Sequence, residues 1–119
     1  MQLSPDQERI RATAREFARR EIAPHAAHWD RDGATPRSLY DRMADVGLMG
    51  MMVDPAWGGS GADFVSYALA IEEISAADGG ISNVMAANNS PVAAAIEQLG
   101  TEQQKTDYLT KLTSGAWLG

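Results

Sequence analysis

The sequence predicts an all-α fold, an up-and-down bundle of five to six helices with one irregular Gly-rich loop. Apolar residues recur every three or four positions over most of the chain, as in helices that bury one face. Ser4-Pro5, Thr35-Pro36 and Ser90-Pro91 each resemble a helix start, because Ser or Thr caps a helix and proline suits its first position. No stretch alternates polar and apolar residues for long enough to form a strand.

Length and composition favour one domain and exclude several classes of function. The chain has 119 residues, of which 45% are hydrophobic, which is enough for one domain with a core. A net charge of -6 argues against a nucleic-acid surface, and the absence of cysteine excludes disulfides and thiolate ligands. No apolar run approaches the ~20 residues of a membrane helix, and no signal peptide is recognisable. A cytoplasmic location is therefore the default expectation.

The first 47 residues are predicted to form two main helices. Ser4 caps the first, and Pro24 should end or kink it, with or without a further turn to Trp29. The predicted buried stripe of this helix consists of Ile10, Ala14, Phe17, Ala18 and Ile22. The second helix follows Thr35-Pro36, ends at Gly47 and is expected to bury Leu39, Met43 and Val46.

Residues 47–63, GLMGMMVDPAWGGSGAD, form the Gly-rich segment around which the other elements are arranged. Five glycines and Pro55 deny it a sustained helix, because glycine loses much backbone entropy and proline lacks a donor. Its Leu, Met, Val and Trp side chains are too apolar for a solvated linker. The segment should therefore pack across helix ends, with glycine where the backbone passes close to another group.

The second half should hold three or four more helices. Asp63 is the predicted cap of a helix whose buried face is Phe64, Tyr67, Ala68, Ile71 and Ile74. The next helix, residues 82–89, is expected to break at Ser90-Pro91, with a short helix at 92–99 after the break. The last helix starts at Thr101 and should bury Tyr108, Leu109 and Leu112.

Three groups of residues suggest chemistry but have an ordinary structural explanation that we favour. His25 and His28 have no obvious third ligand, so they should face solvent rather than a metal ion. Glu72 and Glu73 diverge by about 100° on a helix, which suits solvent or a neighbouring helix better than an acid/base pair. Residues 58–61, GGSG, resemble a phosphate loop but lack its Lys, and Asp63 would repel an anion there.

The sequence Asn88-Asn89-Ser90 is the strongest candidate site. Two amides and a hydroxyl lie at a predicted helix break inside an uncharged segment, and buried polar groups need partners. They serve either as local backbone caps or as contacts to a ligand, and the residues alone favour neither. The neighbouring apolar side chains would line a slot or fill the core; they are Met85, Ala86, Val92 and Ala93.

Four segments in order resemble the N-terminal helical domain of the acyl-CoA dehydrogenases. The family's first-helix signature is similar to REFARREIAPHAAHWDRDG, and its loop after the second helix is similar to residues 47–63. Its third helix and turn resemble AIEEISAADGGIS, and its last N-terminal helix resembles GTEQQKTDYLTKLTSGAWLG. The resemblance predicts that residues 1–115 are this domain and that residues 116–119 begin a middle β domain.

The resemblance implies an FAD-dependent enzyme that oxidises an acyl-CoA thioester between its α and β carbons. Electrons then pass to an electron-transferring flavoprotein, and a homodimer or homotetramer is expected at full length, without nucleic-acid or membrane partners. The base and most flavin contacts lie in the family's other domains. We therefore expect no catalytic, cofactor-binding or metal-binding residue here, and no FAD retained by residues 1–119 alone.

The domain's implied role is to wall the acyl-chain pocket and exclude water from it. The wall residues implied by the resemblance are Met85, Ala86, Asn89, Ser90, Val92 and Ala93. The Asn-Asn-Ser sequence is similar to that of short-chain members, which favours a small acyl group. Two alternatives stay open: a stand-alone helical interaction module, and the same domain of an acyl-CoA oxidase or related flavin monooxygenase.

Overall fold

The computed structural model describes all residues, 1–119, and contains six helices and no strand. Helix α1 comprises Pro5–Phe17 and a π-helical turn, Ala18–Ile22; α2 is Ala26–Asp32; α3 is Arg37–Asp45; α4 is Phe64–Ala77. Helix α5 comprises Gly79–Ala87, a π-helical turn at Asn88–Ala93, and Ala94–Leu99. Helix α6 comprises Glu102–Gln104, a π-helical turn at Lys105–Leu109, and Thr110–Thr113. The all-α fold of five to six helices around a Gly-rich loop is confirmed.

Helix α1 begins as its sequence predicts. The Ser4 hydroxyl accepts from the backbone N–H of Gln7 at 3.2 Å, and the Gln7 side chain accepts from the Ser4 N–H at 2.9 Å. Pro5 occupies the first turn, where no hydrogen bond to its nitrogen is needed. The predicted stripe is confirmed, since Ala14, Phe17, Ala18 and Ile22 are buried and Ile10 packs at their edge.

Ion pairs join α1 to α4. Glu73 accepts from Arg15 at 2.7 Å and from Arg11 at 3.2 Å, and its side chain is only 13% exposed. The hydrogen bond from Arg15 is the largest cause of a lowered Glu73 pKa, which burial partly offsets. Asp63 at the start of α4 accepts from Gln7 at 3.1 Å. Pairing of Glu73 with a neighbouring helix, one of the two predicted alternatives, is confirmed.

The main core lies between α1, α2, α3, α4, α5 and the Gly-rich segment. It contains 15 buried residues, among them Leu48, Met49 and Met51 of that segment. A second, smaller core joins the segment to α5 and α6 and consists of Val53, Ala93, Leu109 and Leu112. The Gly-rich segment therefore belongs to both cores and is an integral part of the fold, as its composition predicts.

The prediction that the helix breaks at Ser90-Pro91 is wrong. Helix α5 continues through Pro91, which lies inside the π-helical turn Asn88–Ala93. In a regular α-helix the proline ring would clash with the carbonyl four residues earlier, and a wider turn relieves that clash. The proline therefore changes the type of turn without ending the helix.

The predicted buried face of α4 is also wrong in part. Phe64 is 79% exposed and Ala68 is exposed, whereas Ser66, Ala70 and Ile74 are buried. Helix α4 is apolar on several sides, so the spacing of its apolar residues does not select one face. Helix α4 packs closely against α1 and α5, and its small side chains Ser66 and Ala70 are buried instead of Phe64. Val46 and Tyr108, predicted to be buried, are each more than two-fifths exposed.

None of the helices combines the length and the apolar character needed to cross a membrane.

Candidate functional site

The candidate site is the π-helical turn Asn88–Ala93 in the middle of α5. Its residues differ in their exposure to solvent. Asn88, Asn89 and Ala93 are buried, whereas Ser90 and Pro91 are exposed and Val92 is half-buried. The outer side of the turn therefore offers an uncharged surface, and its inner side places two amide side chains against the Gly-rich segment.

Asn89 holds the Gly-rich segment against α5. Its side-chain oxygen accepts from the backbone N–H of Met51 at 2.7 Å. Its side-chain nitrogen donates to the carbonyls of Leu48, at 2.8 Å, and of Met85, at 2.9 Å. With 2% of its surface exposed, the side chain is sealed from solvent. A buried amide that donates both N–H groups to backbone carbonyls supports the fold and has no donor left for a ligand.

Asn88 joins α5 to three other parts of the chain. Its side-chain nitrogen donates to the carbonyl of Met49 at 2.7 Å and to that of Leu112 at 3.3 Å. Its oxygen accepts from the N–H of Gly119 at 2.8 Å. The sequence left open whether these amides cap their own helix or contact a ligand. The structure gives a third role, since five of the six bonds reach outside α5.

The wall residues implied by the sequence resemblance do not share one level of exposure. Met85, Asn89 and Ala93 are buried, with Met85 in the main core and Ala93 in the smaller one. Ala86 is half-buried, and Ser90, one turn further on, is exposed. Val92 lies under the backbone of Gly119, where an added methyl would come within 2.7 Å of the Val92 Cβ.

The GGSG residues of the Gly-rich segment form turns and close contacts, as favoured by the sequence. The N–H groups of Ser60 and Gly61 donate to Gly50 and Val53 carbonyls at 3.0 and 2.9 Å, and that of Ala62 donates to Met51 at 2.7 Å. Asp63 accepts from the Ser66 N–H at 2.7 Å and caps α4, and this bond is the largest cause of its lowered pKa. These amides are therefore already paired within the fold.

The two histidines lie on the surface near α2. His25 stacks on Trp29 with ring centroids 5.2 Å apart, and His28 pairs with Asp32 at 3.1 Å. No three His, Cys, Asp or Glu side chains come close enough to hold a metal ion.

Asn89 is among the wall residues implied by the sequence resemblance, whereas Asn88 is not. Asn88 is fully buried and has three partners, from residues 24 to 39 positions away. The only signal in the sequence was the amide pair in an uncharged stretch, and that signal did not reveal which segments the amides bind.

The chain is similar to known proteins over almost its whole length. A family described as "Acyl-CoA dehydrogenase, N-terminal domain" matches residues 4–116. The probable acyl-CoA dehydrogenase YngJ of Bacillus subtilis is 42% identical over 99% of this chain and 31% of its own length. The short-chain specific acyl-CoA dehydrogenase of Clostridium acetobutylicum is 37% identical over 98% of this chain and 31% of its own length.

Solved structures share the fold closely. A glutaryl-CoA dehydrogenase of Mycobacterium smegmatis in complex with FADH2 superimposes with a TM-score of 0.94 at 30% identity, over 98% of this chain and 30% of that one. A chain from work on the electron transferring flavoprotein of Acidaminococcus fermentans gives a TM-score of 0.95 at 37% identity, over 100% and 31%. The chain thus spans about a third of the length of the proteins it matches.

Proposed function

The chain belongs to the acyl-CoA dehydrogenase family, whose N-terminal domain it represents, and from this we propose that it walls the acyl pocket of a flavin-dependent acyl-CoA dehydrogenase. The whole protein would oxidise an acyl-CoA thioester between its α and β carbons. The carboxylate base would come from outside residues 1–119, and this domain would exclude water from the acyl group.

One observation carries the assignment of the wall to this part of α5. The outer side of the π-helical turn holds exposed Ser90 and Pro91, with half-buried Ala86 one turn before, and none of these side chains is charged. An acyl chain needs an apolar surface with few polar groups, and π-helical turns inside α-helices often lie at functional sites. Met85, Asn89 and Ala93 would support this surface from behind.

The residues of this chain do not by themselves fit FAD. A dinucleotide needs free donors for its pyrophosphate, and the Gly-rich N–H groups of Ser60, Gly61 and Ala62 already donate to carbonyls. Every buried side-chain nitrogen or oxygen already has a hydrogen-bond partner within the chain, so none is left for a cofactor to pair with. We therefore place the FAD site in the parts of the protein outside residues 1–119.

Further parts of the proposal extend to substrate and partners. A short acyl group is favoured by the Asn-Asn-Ser sequence and by the short-chain specific relative of C. acetobutylicum. An electron-transferring flavoprotein as acceptor, a homodimer or homotetramer, and a cytoplasmic location stay predictions. The acyl-CoA oxidase or flavin monooxygenase alternative has the same requirement for an acyl wall, whereas a stand-alone interaction module would have none.

Replacing Ser90 by Leu in the whole protein tests the wall. The larger side chain should project into the pocket and raise KM for a short acyl-CoA about tenfold or more, because small volume changes in apolar pockets have effects of this order. The midpoint of thermal unfolding should change little, because Ser90 is exposed in this domain. The measurements are steady-state oxidation of acyl-CoA and thermal unfolding.

Gln98→Leu is the matched control, since Gln98 is an exposed polar residue of the same helix. It places the same apolar side chain on the same helix, away from the π-helical turn, and should leave KM unchanged. A Ser90→Leu protein with a much lower melting temperature and an unchanged KM would show that this turn does not face the acyl group.

A further inference from the structure

We propose that Asn88 and Asn89 are positioning residues, which fix the acyl-facing side of the π-helical turn by tying its inner side to the Gly-rich segment. This inference rests on the function proposed above, because it takes Ser90 and its neighbours as the acyl wall. It assigns the two amides to the placement of that wall and not to contact with the substrate.

Burial and bonding remove the amides from direct substrate contact. Asn88 is fully buried and Asn89 is 2% exposed, and each uses its oxygen and both amide hydrogens on backbone groups. An amide side chain with no N–H left to donate cannot hydrogen-bond an acyl carbonyl without losing one of these bonds. Their action on a ligand must therefore pass through the backbone they hold.

The other two π-helical turns lack this arrangement. In the turn at Ala18–Ile22 the buried residues are Ala18 and Ile22, and in Lys105–Leu109 the buried residue is Leu109. Buried amides are thus not needed to form a π-helical turn in this fold. In α5 they serve another purpose, which is to fix that turn relative to residues 48–51.

The bonds place one rigid connection directly behind the proposed wall. Asn89 precedes exposed Ser90 in the chain, and its partners Leu48 and Met51 lie in the main core. A displacement of Asn89 would move Ser90 with it, because the two share a peptide bond. Asn88 adds the carbonyl of Met49 on the same segment. The position of the Gly-rich segment therefore determines the position of the wall.

The test is Asn89→Asp in the whole protein, with measurement of KM for a short acyl-CoA and of kcat per bound flavin. The carboxylate keeps the shape of the amide but places an oxygen against the carbonyls of Leu48 and Met85, where a donor stood. Displacement of the wall should raise KM about tenfold or more, in line with the cost of small misplacements far from the chemistry. The value of kcat per flavin should change far less than KM.

Asn83→Asp is the matched control, because Asn83 is exposed on the same helix and receives the same change of charge. Its KM should equal that of the unmodified protein. An Asn89→Asp protein with lower stability or flavin content but an unchanged KM would overturn the proposal, since that is the result of a purely structural role.

Two further measurements distinguish the remaining outcomes. If Asn89→Asp yields no folded flavoprotein, Asn88→Ser is measured in the same way, because it removes the bond to Met49 without adding charge. A raised KM supports the proposal, and an unchanged KM overturns it. If the unmodified protein does not oxidise any acyl-CoA, the proposed function itself fails; if it does and only KM in the variants is unchanged, the positioning role alone fails.

Discussion

Replacing Phe17 by Ala should lower the free energy of unfolding by about 3–5 kcal/mol, the range for removing a buried aromatic ring. Phe17 ends the α-helical part of α1 and is 7% exposed within the main core. The core is shared by five helices and the Gly-rich segment, so collapse around the missing ring would require several elements to move together. Equilibrium urea unfolding, with the midpoint and slope fitted separately, measures the loss.

Phe64→Ala supplies the matched control on the same fold. Phe64 is 79% exposed at the start of α4, so removing the same ring there should change stability by no more than about 0.5 kcal/mol. Equal effects at the two positions, or a near-zero effect at Phe17, would mean that α1 does not turn this face toward the core.

Replacing Gly59 by Ala is expected to destabilise the fold by about 3 kcal/mol or more, at or beyond the upper end of ordinary overpacking. A Cβ atom at this position would overlap the backbone carbonyl of Val53, which belongs to the smaller core with Leu109 and Leu112. Backbone cannot rotate away as a side chain can, so the Gly-rich segment would have to open. The same urea measurement detects this as a lower midpoint.

Gly79→Ala is the control for the change of residue type. An added Cβ at Gly79 meets no atom within 4 Å, and its backbone does not require a positive φ. Stability should be unchanged within about 0.5 kcal/mol or slightly raised, because alanine loses less backbone entropy in a helix than glycine does. If Gly59→Ala behaved like Gly79→Ala, the close approach between residues 53 and 59 would be wrong.

Features set by neighbours in sequence could be predicted from the sequence. The Ser4–Gln7 capping box and the cap at Asp63 depend on residues three positions apart, and both form as expected. The apolar stripe of α1 has charged residues on its other faces, so its buried side was unambiguous. The composition of residues 47–63 also predicted a packed irregular segment correctly.

Features set by distant partners could not be predicted. The bonds of Asn89 to Leu48 and Met51 cross 41 and 38 positions, and nothing in either segment encodes the pairing. The same holds for α4, where contact with α1 and α5 selected Ser66 and Ala70 over Phe64. The helix break predicted at Pro91 is wrong because proline usually ends a helix, whereas here the surrounding packing favours a π-helical turn that continues the helix.

Flavin reduction by substrate can be measured by an anaerobic titration of the whole protein with a short acyl-CoA, followed in the visible absorption band of its flavin. An acyl-CoA dehydrogenase transfers two electrons from the acyl group to the flavin, so the band should bleach as acyl-CoA is added, and free coenzyme A should have no such effect. A flavin band that no acyl-CoA bleaches, or a whole protein that binds no flavin, would contradict the proposed function.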